Sequence, residues 1–296
     1  MALTKCLNNN LNIIKLNKIF KKSKKIFIDD DSKIVIMSDC HRGDGSNSDN
    51  FMKNELIFHE SLNYYEKNGF IYIELGDGDE MWEVKDYHKI IEVHIDSFRK
   101  LKKFHDSNRL IMIYGNHDIL KKSPHILKQT FSKYKLDTEE ESLLENLKVH
   151  ESLILNYKYH ELFLIHGHQV DFLNSTLWRF SSFLIRYVWK TLENIGLKDP
   201  TGTSKNHGVT KNTEKKLQKW SNLNNKILIA GHTHRAIFPN IGESLYFNDG
   251  SCIHPNGITA LEIENGNITL VKWEEENFSI KRKIIEGNQP ILSFYK

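Results

Sequence analysis

An α/β fold with parallel strands joined by helical crossovers is predicted by two observations. The first is alternation: short apolar runs at Ile34–Met37, at 70–75 and at 110–114 are separated by stretches of helical character. The second lies at the carboxyl end of each run. Every one ends in glycine, aspartate, asparagine or histidine, and the carboxyl ends of strands are where open α/β sheets build their sites. The chain has 296 residues, enough for one large domain or two small ones with a sizeable core.

Taken in order, Ile34–Met37 is a short buried strand that runs into Ser38-Asp39-Cys40-His41-Arg42-Gly43. Residues 51–68 read as a helix, with Phe51, Leu56, Leu62 and Tyr65 among its apolar positions and Gly69 as its stop. The strand at 70–75 meets Gly76-Asp77-Gly78-Asp79-Glu80, a long helix is expected over 83–106, and the strand at 110–114 meets Gly115-Asn116-His117-Asp118. After a helix starting near Pro124, two further strands are expected at 147–157 and 161–165, the second ending in His166-Gly167-His168. Residues 171–225 interrupt the rhythm and read as helical. The chain then returns to strand at Ile227–Ala230, followed by Gly231-His232-Thr233-His234. The remainder is β: 245–247 before Asn248-Asp249-Gly250-Ser251, then a hairpin of 258–263 and 268–273 on an Asn265-Gly266 turn. With no internal repeat or low-complexity linker, residues 33–296 read as one domain carrying a helical lid insert at 171–225, preceded by a basic segment at 1–32.

Composition narrows the function. Lys and Arg number 41 against 38 Asp and Glu, so global charge does not argue for nucleic acid. Cys6, Cys40 and Cys252 are odd in number and far apart, which excludes a disulfide framework and points to a reducing cytosol. The N-terminus has no signal peptide: its apolar residues are interrupted by Lys15, Lys18 and a run of lysines at 21–25. It reads either as a solvated helix ahead of the domain or as a basic amphipathic helix resting on an anionic membrane or nucleic acid. No apolar run reaches the ~18 residues of a transmembrane helix.

Any one polar strand end is explained by a turn or a helix cap, where Asp, Asn and Gly are common. Caps do not explain histidine recurring at strand after strand. The two imidazoles of His232 and His234 can splay toward two points in space, which suits two adjacent metal ions, although a lone His-x-His is equally a pair of surface residues. Mixed imidazole, carboxylate and amide ligation suits Mn, Fe, Zn or Ni better than Mg or Ca. Cys40 lies between two ligand candidates, so strand alternation turns its side chain away from theirs.

The ordered set Asp39-x-His41, Gly76-Asp77-x-x-Glu80, Gly115-Asn116-His117-Asp118, His166 and Gly231-His232-x-His234 resembles the calcineurin-like metallophosphoesterases. The resemblance spans residues 39–234 and implies a four-layer α-β-β-α sandwich of two mixed sheets around two divalent transition-metal ions, with Mn foremost. Asp39, His41 and His234 would hold one ion, Asn116, His166 and His232 the other, and Asp77 would bridge them. It also implies that a water activated between ions about 3.5–4 Å apart attacks phosphorus. His117, oriented by Glu80, would stabilise the phosphorane charge or protonate the leaving oxygen. Arg42 and Arg235, each directly after a ligand histidine, are candidate phosphate contacts or structural ion pairs. His168 either contacts substrate or merely sits nearby.

The insert bears on the substrate. Leu173, Leu177, Phe180, Leu184 and Val188 form one apolar stripe, Trp178, Ile185, Trp189 and Leu192 a second, and Arg179, Arg186 and Lys190 a basic third. Residues 171–225 hold nine Lys and Arg against four Asp and Glu, so the positive balance is concentrated there. The insert reads as a helix buried on both sides, or as one that takes an acyl chain or a membrane on Trp189 and phosphates on Arg179 and Arg186. Within the family, the motif spacing looks most like the UDP-diacylglucosamine pyrophosphatases, which usually carry Arg where this chain has His117. The expectation is therefore a cytoplasmic hydrolase, in peripheral contact with membrane at most, acting on a small phosphorylated and potentially lipid-linked substrate. The alternatives are a phosphodiesterase or phosphatase acting on nucleotides, nucleic acid or phosphoprotein, and more remotely a non-catalytic scaffold.

Overall fold

The computed structural model describes residues 2–134, 142–171 and 207–295. Two mixed sheets face each other. In the first, β2 (Ile34–Met37), β3 (Ile71–Leu75), β4 (Leu110–Ile113) and β5 (Val149–His150) run parallel. On the far side of β2, β10 (Ile258–Glu264), β11 (Asn267–Glu276) and β12 (Ser279–Pro290) continue the sheet antiparallel. The second sheet has the order β1 (Lys24–Ile28), β6 (Ser152–Tyr157), β7 (His160–Ile165), β8 (Ile227–Ala230) and β9 (Tyr246–Asn248), with β7, β8 and β9 parallel.

Period-two alternation builds the layers. On β2, Ile34 and Ile36 enter the core between the sheets, while Val35 and Met37 enter the core under the helices. That outer core is closed by α2 (Glu55–Lys67), α3 (Tyr87–Val93), α4 (Ile95–Asp106) and α5 (Pro124–Phe131). On the other outer face, α1 (Ala2–Lys22) and α6 (His207–Asn224) lay Leu16, Ile19, Leu217 and Trp220 on Ile154, Phe163 and Leu228. The result is the expected four-layer α-β-β-α sandwich. Cys40 lies in the core under the helices, as alternation requires.

Three elements differ from expectation. The long helix over 83–106 is two helices. Asp86 caps the first by accepting the His88 backbone N–H, and His94 breaks the run with ψ 31°. The strand expected at 147–157 also divides: β5 belongs to the first sheet and β6 to the second. An unbroken apolar pattern does not reveal that its two halves pair with different sheets. The segment 1–32, expected ahead of the domain as a solvated helix, supplies the edge strand β1 and the outer helix α1. Phe20 of that helix meets Phe163 edge-on at 5.2 Å, and Asn17 accepts a hydrogen bond from Trp220. Among the described residues, no helix is long and apolar enough to cross a membrane.

Candidate metal centre

Parallel pairing puts the carboxyl ends of β2, β3 and β4 at one end of the sandwich, and those of β7, β8 and β9 meet them there. Backbone hydrogen bonds carry the pairing into the loops: Asp39 N–H donates to Gly76 O, His41 to Asp77 O, and Gly231 to His166 O, at 3.0, 2.9 and 3.0 Å. Five residues in these loops, Asp39, His41, Asp77, His232 and His234, have φ between 49° and 66°. This left-handed region is uncommon for residues with a Cβ, and Asp and His tolerate it better than most. Such strained backbone concentrates at functional sites. At Gly115 a Cβ would stand 2.0 Å from Asp77 Oδ1, so a side chain there would displace the central carboxylate.

Among the described residues the side chains gather in three groups. Asp39, His41 and His234 each offer an atom within 4.8 Å of the others, so do Asp77, His166 and His232, and a third group of His41, Asp77 and His117 overlaps both. Asp77 Oδ2 lies 3.0 Å from His166 Nε2 and 3.9 Å from His41 Nε2, between the groups. Asp39 Oδ1, His41 Nε2, Asn116 Oδ1, His166 Nε2 and His232 Nε2 are all buried without a hydrogen-bond partner. Buried polar atoms are normally paired, so five orphans on these neighbouring strand-end loops, four of them in the groups above, favour a bound ligand. Oxygen and imidazole nitrogen in this number suit two divalent transition-metal ions.

The other nitrogen of each deep imidazole is already committed. His41 Nδ1 is 2.8 Å from Glu80 Oε2, and His166 Nδ1 is 2.9 Å from Leu75 O. Both therefore carry Nδ1–H and turn Nε2 inward, the arrangement in which outer-shell acceptors orient metal-binding histidines. Glu80 has a second partner, His117 Nδ1, at 2.7 Å. Burial raises the Glu80 pKa, but the charges and hydrogen bonds of His117 and His41 outweigh it and bring it down to about 2. Burial lowers His117, and the Glu80 and Asp77 carboxylates more than compensate, so its pKa is raised. Exposure gives the site a direction. His166 is fully buried, whereas the side chains of His117 and His234 are 19% and 18% exposed, so a ligand enters past these two.

Arg42 is not a phosphate contact. Its fully buried guanidinium points into the core under the helices, where Nε meets Asp79 at 2.6 Å and Nη2 meets Glu74 at 2.9 Å. Asp79 is held there as well by Lys121 and the Tyr87 hydroxyl, both at 2.7 Å, so it does not substitute for Glu80. Asp118 braces two ligand loops from behind, accepting the backbone N–H of Gly115 and of Gly78 at 2.7 and 3.1 Å. Arg235 is half exposed and pairs with Glu214 at 3.3 Å. His168 is buried 5.6 Å from His166, ring to ring, and burial with the nearby His166 and His232 pushes its pKa well down. Arg179, Arg186 and Trp189 lie outside the described residues. Sequence reasoning missed Trp82, which stacks on His117 at 4.2 Å and 22°. Its only signal is a place in the same loop as Glu80.

Residues 33–266 match the model of the calcineurin-like phosphoesterase superfamily domain. No curated protein matches significantly. Solved structures with a similar chain path include vacuolar protein sorting 29 from Cryptosporidium parvum, at 12% identity and TM-score 0.44, covering 86% of this chain and 97% of that one. A predicted phosphoesterase from Streptococcus pneumoniae aligns at 15% identity and TM-score 0.37, with coverages of 86% and 97%. A cold-active protein-tyrosine phosphatase from a Shewanella species aligns at 14% identity and TM-score 0.41, with coverages of 89% and 83%.

Proposed function

We propose, for a chain that belongs to the calcineurin-like phosphoesterase superfamily, that it hydrolyses a phosphoester or pyrophosphate bond at a centre of two divalent transition-metal ions. Membership makes it a phosphoester hydrolase dependent on metal. The observation that supports the finer reading is the set of buried, unpartnered ligand atoms of Asp39, His41, His166 and His232 in adjoining groups at the strand ends, with that of Asn116 in the next loop. Asp39, His41 and His234 would hold one ion, Asn116, His166 and His232 the other, and Asp77 would contribute to both. The chemistry such a pair supplies is a water of lowered pKa and neutralisation of charge on the phosphoryl oxygens.

The protein's own residues do the rest. Glu80 accepts from Nδ1 of both His41 and His117, which fixes one ligand and leaves His117 Nε2–H on the water-facing side. As the water oxygen bonds to phosphorus and the bond to the leaving oxygen breaks, His117 gives its proton to that oxygen. The Glu80 and Asp77 carboxylates raise its pKa, which favours the protonated form this step needs. Trp82 stacked on the ring, and Glu80 at its Nδ1, hold it at one angle.

A lipid-bearing nucleotide pyrophosphate is the narrower substrate. It is supported by the motif spacing and by the basic and aromatic residues of the insert, Arg179, Arg186 and Trp189 among them. The test is a panel of bis-p-nitrophenyl phosphate, p-nitrophenyl phosphate, a nucleotide sugar and a lipid-bearing nucleotide pyrophosphate. Each is offered to chelator-stripped protein before and after addition of Mn²⁺. Turnover should depend on the added metal and be highest for the pyrophosphates. A lipid substrate no better than its soluble counterpart removes the lipid reading, and no turnover of any by metal-loaded protein would falsify the proposal as a whole.

A further inference from the structure

The turn Asn248-Asp249-Gly250-Ser251 after β9 supplies none of the ligand atoms, yet it is laced into the centre. Asn248 Nδ2 donates to Gly231 O at 2.7 Å, which ties the turn to the His232–His234 loop. Cys252 N–H donates to Asp39 O at 3.3 Å, which ties it to the opposite sheet. Between these, Asp249 Oδ1 lies 2.8 Å from Ser38 Oγ, and Ser38 Oγ lies 2.5 Å from Asp39 Oδ2. All three side chains are buried, with Asp39 and Asp249 at 0% exposure and Ser38 at 1%. A Cβ on Gly231 would stand 2.2 Å from Ser38 Oγ, so this corner is tightly filled.

Proton counting decides what the contacts are. A serine hydroxyl has one hydrogen, and here it faces two carboxyl groups. If both were anions, one oxygen pair would be left repelling at hydrogen-bond distance in a buried corner, so one carboxyl must bring its own proton. Asp39 is the anion: its Oδ1 is 3.0 Å from His234 Nε2, and its Oδ2 also accepts the His232 backbone N–H at 2.8 Å. Asp249 forms no ion pair among the described residues, and its Oδ2 is buried without a hydrogen-bond partner, a setting that favours the neutral acid.

We propose that Asp249 is a positioning residue of the metal centre, a neutral buried carboxylic acid that donates to Ser38 Oγ and thereby turns the Ser38 hydroxyl onto Asp39 Oδ2. That oxygen then takes two donors, Ser38 Oγ–H and His232 N–H, while Oδ1 keeps its lone pairs for the ion. The relay rests on the two-metal reading and specifies how this chain presents one ligand of it. Outer-shell partners of this kind are worth about 10–100-fold in metal affinity.

The experiment is calorimetric titration of the chelator-stripped full chain with Mn²⁺ alone, for the wild type, Ser38→Ala, Asp249→Ala and Asp249→Asn. Ser38→Ala and Asp249→Ala should each weaken the tighter site by about 10–100-fold. Asp249→Asn should bind close to wild type, because the amide N–H replaces the acid O–H as donor. An Asn variant as weak as the Ala variant overturns the assignment, since the charge rather than the proton would then matter. Ser38→Ala with unchanged affinity overturns the relay, and because it removes one oxygen it carries the test if Asp249→Ala does not fold. Infrared difference spectra of Asp249→Asn against wild type at neutral pH should show loss of one protonated-carboxyl stretch, and no such loss also overturns the proposal. Failure of the wild type to bind Mn²⁺ would instead sink the metal centre itself, and the relay with it.

Discussion

Two neighbouring regions of this molecule are crowded with buried charge, and they use it in opposite ways. Beneath the first sheet, Arg42, Lys121 and His94 each have a carboxylate within 2.9 Å. His94 engages both ring nitrogens, Nε2 with Asp49 at 2.9 Å and Nδ1 with Glu55 at 2.8 Å. At the strand ends, His41 and His166 commit Nδ1 to an acceptor behind them and turn Nε2 toward the carboxylates of Asp39 and Asp77. An imidazole held by a separate carboxylate at each nitrogen is a strut, and one whose Nε2 faces other ligand-type atoms can serve as a ligand. Burial alone does not separate the two regions. What the second nitrogen faces does.

The largest effect should come from the open region. Asp77→Asn keeps the size of the side chain but removes the charge that lies between the two ligand groups, so metal-dependent turnover of bis-p-nitrophenyl phosphate should fall below detection. Folding should survive, because an amide oxygen can still accept the His117 backbone N–H that Asp77 Oδ1 accepts at 2.8 Å. Circular dichroism melts in chelator alongside the activity assay check both halves. A variant that loses its fold along with its activity would erase the distinction between ligand and strut.

The closed region should respond in the reverse sense. Arg42→Met leaves Glu74 and Asp79 buried with Lys121 as their remaining cation, and breaking a buried pair in this way costs about 3–5 kcal/mol. Denaturant unfolding should register that loss, while Mn²⁺ affinity of the folded fraction changes far less, since Arg42 contacts no ligand side chain. If instead affinity collapses with stability intact, Arg42 belongs to the centre after all.

The open region was far more legible in the sequence than the closed one. Asp39, His41, Asp77, Asn116, His166, His232 and His234 stand at strand ends in the order of the family pattern, and the structure brings the Asp and His among them into adjoining groups, with Asn116 buried in the loop whose next N–H bonds Asp77. The strut residues carry no such mark. Nothing in the sequence turned Arg42 away from the ligand histidine beside it, because the direction of a side chain after a strand end depends on the loop's left-handed backbone. His94 was hidden inside an apparent long helix, and its partner Asp49 lies 45 residues away. The edge strands β1 and β12 were missed for a related reason: with Phe27, Ile284 and Ile285 exposed, their apolar residues do not alternate cleanly into a core.

His94 offers the smallest effect and the cleanest sign. Burial disfavours its charged form, but hydrogen bonds to Asp49 and Glu55, with their charges, prevail and raise its pKa from 6.5 to about 9. Because the folded value lies above the unfolded one, the folded state holds this proton more tightly. The contribution is therefore complete below about pH 6.5 and is lost as pH rises through about 9. A shift of this size corresponds to roughly 3 kcal/mol. Unfolding free energies of the wild type and His94→Asn should be measured at pH 6 and at pH 9.5. The gap between the two proteins should be wide at the lower pH and narrow at the higher. A ligand histidine freed of metal would give no such pattern tied to Asp49 and Glu55, so a pH-independent gap would mean that His94 is held by packing and is not the charged strut its two carboxylates imply.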